Sequence, residues 1–509
     1  MADPRVFGGG PRPGTRACWA LVLVALLAAV AFHGGRRAFI RAWFRDGPPG
    51  PAPRLAPAPA EDPVRSPADR VRVVLIDGLS ESVAATLPAM GALCARGIAL
   101  RVDAGFPTVS LPVQHVLWTG RTQQQSGVWY RTTPLSRPPA GSLPAAVPGA
   151  VAVAESHRSI AGSFGFERVL PEAGDRFDDA RAFEAAAVRA VASAAPLVFV
   201  HVLRVDAAGH AAGRASRRYG EAARSADALL GRLQAAAPGA RFFVLADHGH
   251  RAEGGHGGAE PSIRIVRACV AGPEVAPHDG TNEPPVHMVD LAAELAAAVG
   301  HARASGAVGR RLPAARRAPS PGATLPRASS ARIAAAALVA AAGVAGAVVL
   351  GAGRQVAISV WFVLALAAFA ARYGAPSLSV PAVYPPVGRD AAVAMTPGFL
   401  LLAAWAARRG ARGRVAPVRT WAAAFSVPAG LVAAAFVACA GRPPLLPYAT
   451  ATVSVGLLAL AFGHAAAALG FAAGCLIAAR RRPGVDDGPS ARPRRPCAGR
   501  SPAAGGPVS

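Results

Sequence analysis

Runs of apolar residues divide the 509-residue chain into an apolar start, a mixed middle and an apolar end. The first run, Ala17 to Phe32, follows Arg5, Arg12 and Arg16. Its length suits a signal peptide or a short signal anchor. Ala29-Val30-Ala31 offers a cleavage site, while Arg36 and Arg37 just beyond argue against processing. On either reading the following segment is exported. Residues 1–33 are read as a cytosolic tail and signal anchor, and the Pro/Arg/Ala-rich stretch through 34–70 as a linker.

From Val71 the pattern changes. Val71 to Ile76, Ile98 to Val102, Val151 to Ala154, Pro196 to Leu203 and Arg241 to Ala246 are short apolar runs that read as strands. Between and after them, Ser82 to Arg96, Ala180 to Ala194, Arg217 to Ala235 and His287 to Val299 carry helical periodicity. The alternation predicts an α/β domain over 71–312, with a mainly parallel sheet sandwiched by helices. Ligands of such sheets lie at the carboxyl ends of the strands.

A second Pro/Arg/Ser-rich linker, 313–332, leads to five further apolar runs: Ile333 to Gly353, Val356 to Ala371, Ala391 to Ala407, Trp421 to Gly441 and Ala451 to Ala479. They predict a membrane domain of about five helices over 333–479, followed by a disordered cytosolic tail, 480–509. Arg408, Arg409, Arg412, Arg414 and Arg419 fill one short loop, and Arg480, Arg481 and Arg482 close the last run. Placing both clusters in the cytoplasm makes this a multi-pass protein of the cell membrane, its catalytic domain periplasmic or extracellular. Arg310, Arg311, Arg316, Arg317 and Arg327 oppose that orientation, but the short loops agree with the N-terminal export signal and are given more weight.

Composition sharpens the picture in two places. The chain is 52% hydrophobic, which the membrane runs explain, and it carries a net charge of +25 without a single lysine. Its arginines lie in loops, linkers and membrane flanks, not on one basic helix with interleaved aromatics, so no nucleic-acid polymer is expected as a partner. Of the six cysteines, only Cys94 and Cys269 fall in the middle segment. Both sit in apolar surroundings, and two buried free thiols are expected there rather than a disulfide.

Three of the strands lead into acidic residues. Val73-Val74-Leu75-Ile76 runs into Asp77, the strand ending at Leu203 is followed by Asp206, and Phe242-Phe243-Val244-Leu245-Ala246 runs into Asp247, with His248 next. Parallel strands would gather the three carboxylates at one sheet edge, where their repulsion is costly unless cations sit among them. His210 follows Asp206 by four residues, and His256 lies in Gly254-Gly255-His256-Gly257. Mixed Asp/His ligation suits zinc or manganese better than calcium. In Phe106-Pro107-Thr108-Val109-Ser110-Leu111-Pro112, Ser110 would open a helix, where a metal-activated hydroxyl meets backbone amides able to receive phosphate oxygens. Thr108 competes with it as nucleophile.

These motifs resemble the alkaline phosphatase superfamily, specifically the type I phosphodiesterase/nucleotide pyrophosphatase family. The resemblance rests on Val74-Leu75-Ile76-Asp77-Gly78, on Phe106 to Pro112 with Leu117-Trp118-Thr119-Gly120, on Asp206-Ala207-Ala208-Gly209-His210, on Asp247-His248-Gly249 and on Gly255-His256-Gly257. Val289-Asp290-Leu291-Ala292 looks like the closing motif of that family. Each piece alone is weak; the ordered set is strong. The resemblance implies two metal sites, Asp206, His210 and His256 at one, and Asp77, Ser110, Asp247 and His248 at the other, with Ser110 as nucleophile. It also implies two divalent ions, zinc first and manganese as the alternative.

There are departures. Arg131 falls where many nucleotide pyrophosphatases have asparagine, and would supply a bidentate substrate contact. His250 replaces a common methionine and is expected to matter little. Gln114 stands where sulfatases use arginine, which argues against sulfate esters. A lone Asp-His pair is usually a cap or a surface loop, and His115, His201 and His287 are read as packing or hydrogen-bonding residues. His464, inside the last apolar run, suits either a lipid headgroup or helix packing.

The resulting expectation is a metal-dependent phosphodiesterase or pyrophosphatase-type hydrolase with a phosphate-ester or lipid-linked substrate, held among membrane lipids. Two alternatives stand beside it. One is a phosphoethanolamine-type transferase, since GPI ethanolamine phosphate transferases are similar in the His248–His256 spacing and in having many C-terminal spans. The other is an inactive membrane scaffold.

Overall fold

The computed structural model describes residues 13–43, 66–129, 133–171, 180–258, 260–312 and 449–480, with a few isolated positions besides. Among the described residues nine strands form one sheet in the order β4-β3-β5-β1-β6-β7-β2-β8, with β9 paired to β2. They are β1 (Val71–Ile76), β2 (Ile98–Asp103), β3 (Val151–Ala154), β4 (Arg168–Leu170), β5 (Leu197–Val202), β6 (Arg241–Leu245), β7 (Ile265–Ala271), β8 (His278–Gly280) and β9 (Val286–His287). Only β7 runs antiparallel to its neighbours β6 and β2; every other pairing is parallel. The expected fold class is borne out.

Helices occupy the connections: α1 (Pro13–Trp43) before the sheet, then α2 (Glu81–Ala84), α3 (Pro88–Ala95), α4 (Ser110–Thr119), α5 (Gln123–Ser126), α6 (Leu143–Ala146), α7 (Arg158–Gly162), α8 (Ala180–Ala192), α9 (Arg204–Ala212), α10 (Arg217–Ala236), α11 (Pro261–Arg264) and α12 (Met288–Ala298). Every residue of the central strands β5, β1 and β6 is buried, so helices cover both faces, as uninterrupted apolar parallel strands require. On one face Trp118 of α4 meets Phe166 and Phe199 edge-on. Buried Arg72 on β1 donates to the carbonyls of Val191, Ser193 and Ala195, which closes the carboxyl end of α8 without an orphaned guanidinium.

Four strands go beyond those read from the pattern. β4, β8 and β9 are two or three residues long, too short for periodicity to register. β7 is a seven-residue run, apolar except for Arg267, whose strand character comes from pairing on both sides. The helix expected over Ser82 to Arg96 is two helices, with Pro88 opening the second.

One expectation is overturned. Cys94 and Cys269 are joined in a disulfide, with their Cα atoms 5.0 Å apart. The two lie 175 residues apart in sequence, and only the packing of α3 over β7 brings them together.

α1 and a C-terminal helix, Ala449–Arg480, pack along one another, with the Phe32 and His464 rings 5.1 Å apart. The windows Trp19–Ala38 and Leu460–Ile477 are long and apolar enough to cross a membrane by length and composition. Most of the preceding four apolar runs, both linkers for the greater part and the 481–509 tail lie outside the described residues.

Candidate metal centre

β5, β1 and β6 are neighbours in the sheet and end nearly level, with Ile76 opposite Val202 and Leu75 opposite Leu245. Asp77 follows β1 directly, Asp247 follows β6 by one residue, and Asp206 sits in the first turn of α9, which begins just beyond β5. One sheet edge therefore receives all three carboxylates. His210, four residues on from Asp206, lies on the same face of α9, its Nε2 3.4 Å from Asp206 Oδ2. α9 is itself held by Glu155 at the end of β3, which accepts from the backbone N–H groups of Leu203 and Arg204 at 2.8 and 3.0 Å. That carboxylate satisfies donors which a helix start otherwise leaves open.

Gly78, at φ +72°, allows the chain to turn sharply after Asp77, and its N–H donates to Asp247 Oδ1 at 3.1 Å. A Cβ there would lie 2.8 Å from the Asp206 Cα, so glycine alone admits so close an approach of β1 and α9.

Ser110 opens α4, as the pattern predicts. Its Oγ lies 3.4 Å from Asp77 Oδ1 and 3.4 Å from His248 Nε2. His248 Nε2 is 3.3 Å from Asp77 Oδ1 and 3.5 Å from Asp247 Oδ2. His256 stacks on His248 with ring centroids 3.8 Å apart, and its Nε2 lies 3.0 Å from His210 Nε2 and 3.6 Å from Asp206 Oδ1. All seven residues assigned to the centre from sequence thus converge. Arg131 lies outside the described residues.

Thr108 is not free to compete. It is buried, and its hydroxyl donates to the Gly258 carbonyl at 2.7 Å while accepting from the Gly257 N–H at 3.0 Å. Its own carbonyl faces His256 Nδ1 at 2.9 Å, so the residue fastens the His256 loop to the segment before Ser110. Thr108→Val should lower stability by about 1–3 kcal/mol, the cost of removing two buried hydrogen bonds, yet keep the hydroxyl that reacts. Thermal melting alongside turnover checks this: a Thr108→Val protein that folds but is as inactive as one lacking Ser110 would make Thr108 the nucleophile.

The electrostatics call for cations. Burial, and then the neighbouring Asp206 charge, push the Asp77 carboxyl well above the ordinary range. Asp247 is raised likewise by burial and by Asp77. Burial acts against the Asp206 carboxylate as well, but the His250 hydrogen bond and the facing imidazoles of His210, His256 and His250 bring its pKa well below the usual value. Burial depresses His248 strongly and takes His256 to about 4, so both rings are neutral near pH 7 and offer lone pairs. Asp247 Oδ2 is buried with no hydrogen-bond donor. Repelling carboxylates, neutral imidazoles and an orphaned oxygen in one place form a donor set that suits divalent ions. Among the described residues three groups have ligand atoms within 4.8 Å of one another: Asp77, Asp247 and His248; Asp206, His248 and His256; Asp206, His210 and His250.

The last group corrects the expectation for His250. It is fully buried, and its Nε2 lies 2.8 Å from Asp206 Oδ1. The sequence carries one signal for it, a histidine two residues beyond His248 and in the same loop. His115, His201 and His287 are hydrogen-bonding residues as expected. His115 meets Thr119, His201 Nε2 is 2.8 Å from Asp77 Oδ2, and His287 caps α12 in a reciprocal box with Asp290. That cap gives the Val289-Asp290-Leu291-Ala292 motif its physical content: Asp290 also accepts from the Arg310 N–H and so ties the end of the domain back onto α12.

Comparison with known proteins agrees with the motif reading. The family model described as type I phosphodiesterase / nucleotide pyrophosphatase matches residues 142–257, a span that contains Asp206, His210, Asp247, His248 and His256 but not Asp77 or Ser110. No curated protein matches the chain. Solved structures similar to part of it include a putative sulfatase from Bacteroides thetaiotaomicron, at 16% identity over 48% of this chain and 74% of that one, TM-score 0.38. A protein of the alkaline phosphatase superfamily from Vibrio parahaemolyticus is 13% identical over 55% of this chain and 78% of that one, TM-score 0.36. Murine ectonucleotide pyrophosphatase / phosphodiesterase 5, in an inactive form with AMP bound, is 14% identical over 46% of this chain and 96% of that one, TM-score 0.35.

Proposed function

We propose, from the match to the type I phosphodiesterase family and the geometry of the centre together, that this chain is a metal-dependent phosphodiesterase or pyrophosphatase-type hydrolase. The observation that carries the reading is Ser110 Oγ at the start of α4, within 3.4 Å of both Asp77 and His248 at the level edge of three adjacent strands. Asp206, His210 and His256 would hold one ion, and Asp77, Asp247 and His248, with Ser110, the other. When bound, such ions supply Lewis acidity that lowers the serine pKa and offsets charge on the phosphoryl oxygens.

The residues of the chain do the rest. Ser110 Oγ attacks phosphorus, the bond to the leaving oxygen breaks in line, and a phosphoseryl ester results. In the first turn of α4 Pro112 has no N–H and Val113 is bonded to the Val109 carbonyl, so the N–H groups of Ser110 and Leu111 would receive the oxygens of that phosphoryl group. A second acceptor oxygen then displaces Ser110, and water as the acceptor makes the net reaction hydrolysis.

The same intermediate serves an alcohol acceptor. Two packed apolar helices of spanning length favour a lipid or glycan acceptor as the second reading, a phosphoethanolamine-type transfer. Location outside the cytoplasm is supported by the Cys94–Cys269 disulfide, a bond that persists in oxidising compartments, and by the apolar start of the chain. We assign 71–312 as the catalytic domain, preceded by a linker that begins after Trp43, where α1 ends, rather than at residue 34, and followed by the second linker and a C-terminal membrane domain as read from sequence.

The test is turnover by the purified full chain, with zinc or manganese supplied, on a bis-aryl phosphodiester, an aryl phosphomonoester and an aryl sulfate. The reading expects the diester to be preferred. Preference for the sulfate, or no hydrolysis with headgroup transfer from a phospholipid, would replace it.

A further inference from the structure

We infer that His201 and His250 are a matched pair of positioning residues, each fixing one ligand carboxylate so that a single oxygen is left for the ion. The inference rests on the two-metal reading above. His201 Nε2 lies 2.8 Å from Asp77 Oδ2, and His250 Nε2 lies 2.8 Å from Asp206 Oδ1. Both rings are completely buried, one at the end of β5 and the other in the loop after β6. Both also leave Nδ1 buried without a hydrogen-bond partner. A neutral imidazole carries one N–H. Placed on Nδ1, it would be buried and unpaired, and a bare Nε2 would face a carboxylate. Placed on Nε2, it donates to that carboxylate at both sites; at His201 this also has the neighbouring Gln114 amide present its otherwise unpartnered oxygen to the ring.

The oxygens these histidines leave are the ones that face the other donors. Asp77 Oδ1 lies 3.4 Å from Ser110 Oγ and 3.3 Å from His248 Nε2. Asp206 Oδ2 lies 3.4 Å from His210 Nε2. His256 Nε2 is 3.6 Å from the Oδ1 that His250 holds, a longer approach. Ligands about 2 Å from a four-coordinate ion stand roughly 3.3 Å from one another, which is the spacing seen on the free-oxygen side. Each carboxylate is therefore divided, one oxygen to a buried histidine and the other toward the metal position, the arrangement that orients a ligand and tunes its basicity.

The space for His250 is built rather than incidental. A Cβ on Gly209 would come within 2.5 Å of its ring, and one on Gly78 within 2.9 Å of its Nε2. Two glycines on different elements clear the room that this imidazole fills. His201 is enclosed by Phe199, stacked at 5.6 Å, and by Gln114, whose Nε2 lies 3.4 Å away.

The experiment uses the full chain, stripped of metal and titrated with zinc against a chromophoric chelator, and with cobalt for its visible spectrum. His201→Gln and His250→Gln keep an N–H at the reach of Nε2, whereas His201→Met and His250→Met fill the volume without a donor. We expect each Met variant to weaken one of the two ions by roughly 10–100-fold, His201→Met at one site and His250→Met at the other. The Gln variants should stay within about threefold, with unchanged cobalt spectra. Metal-free melting curves report folding; if a Met variant fails to fold, His→Asn, whose amide stops short of the carboxylate, takes its place. Equal affinity in Gln and Met variants would reduce both histidines to packing. Loss of affinity in His250→Gln as large as in His250→Met, with an altered cobalt spectrum, would make His250 a direct ligand. An unsubstituted chain that takes up no ions defeats the two-metal reading itself, a result distinct from either.

Discussion

Replacing Ser110 with alanine should reduce turnover by about three orders of magnitude or more while zinc uptake changes only slightly. The size of the loss follows from what remains at the site. The Thr108 hydroxyl does not stand in for it, being held at both ends by Gly257 and Gly258. Water can occupy the vacated place, but without the orientation that α4 imposes on a side chain at its first position. The metal sites should survive, because Asp77, Asp247 and His248 are positioned by the ends of β1 and β6 and not by the serine. The measurement is single-turnover kinetics on the diester paired with metal analysis of the same sample. A Ser110→Ala protein within tenfold of the parent rate would remove the phosphoseryl step from the scheme. A stable protein that has lost both ions would instead make Ser110 chiefly a ligand.

Removing both ions should abolish activity and lower the melting temperature by roughly 15–30 °C, with both restored by zinc. Binding confined to the folded state stabilises it by about 4 kcal/mol per ion at a thousandfold excess over Kd. A domain of this size loses roughly 2–4 °C per kcal/mol. The direction with pH follows from the metal-free carboxyls. Burial, with the Asp206 charge acting on Asp77 and the Asp77 charge on Asp247, holds both carboxyls above the ordinary range, so any proton either retains is released as an ion enters. Metal affinity should therefore rise with pH and fall on acidification, with protons appearing in weakly buffered solution on addition of zinc. Differential scanning calorimetry with and without chelator, and a pH indicator during titration, are the measurements. Identical melting curves would mean that no ion contributes to the fold.

Much of the centre was legible before any coordinates. An apolar strand that runs straight into Asp77 or Asp247 announces its place, because a parallel sheet puts strand ends at one edge. The Asp206–His210 spacing needs only the helical repeat to put both on one face. Thr108 and His250 were harder. Whether a hydroxyl reacts or braces depends on its partners, and those of Thr108 lie about 150 residues away at Gly257 and Gly258. Whether a histidine at a methionine position matters depends on whether a carboxylate oxygen lies within reach.

Local pattern alone determined the strand-helix alternation, the three acidic strand ends, Ser110 at a helix start and the apolar segments at either end. Periodicity and helix-start preferences act over a few residues, so they can be read along the chain. Only the tertiary structure decided the antiparallel β7, the Cys94–Cys269 disulfide, the bracing role of Thr108 and the burial of His201 and His250 against Asp77 and Asp206. Each of these joins residues far apart in the chain, and such contacts form because packing brings their elements together, not because their spacing encodes them.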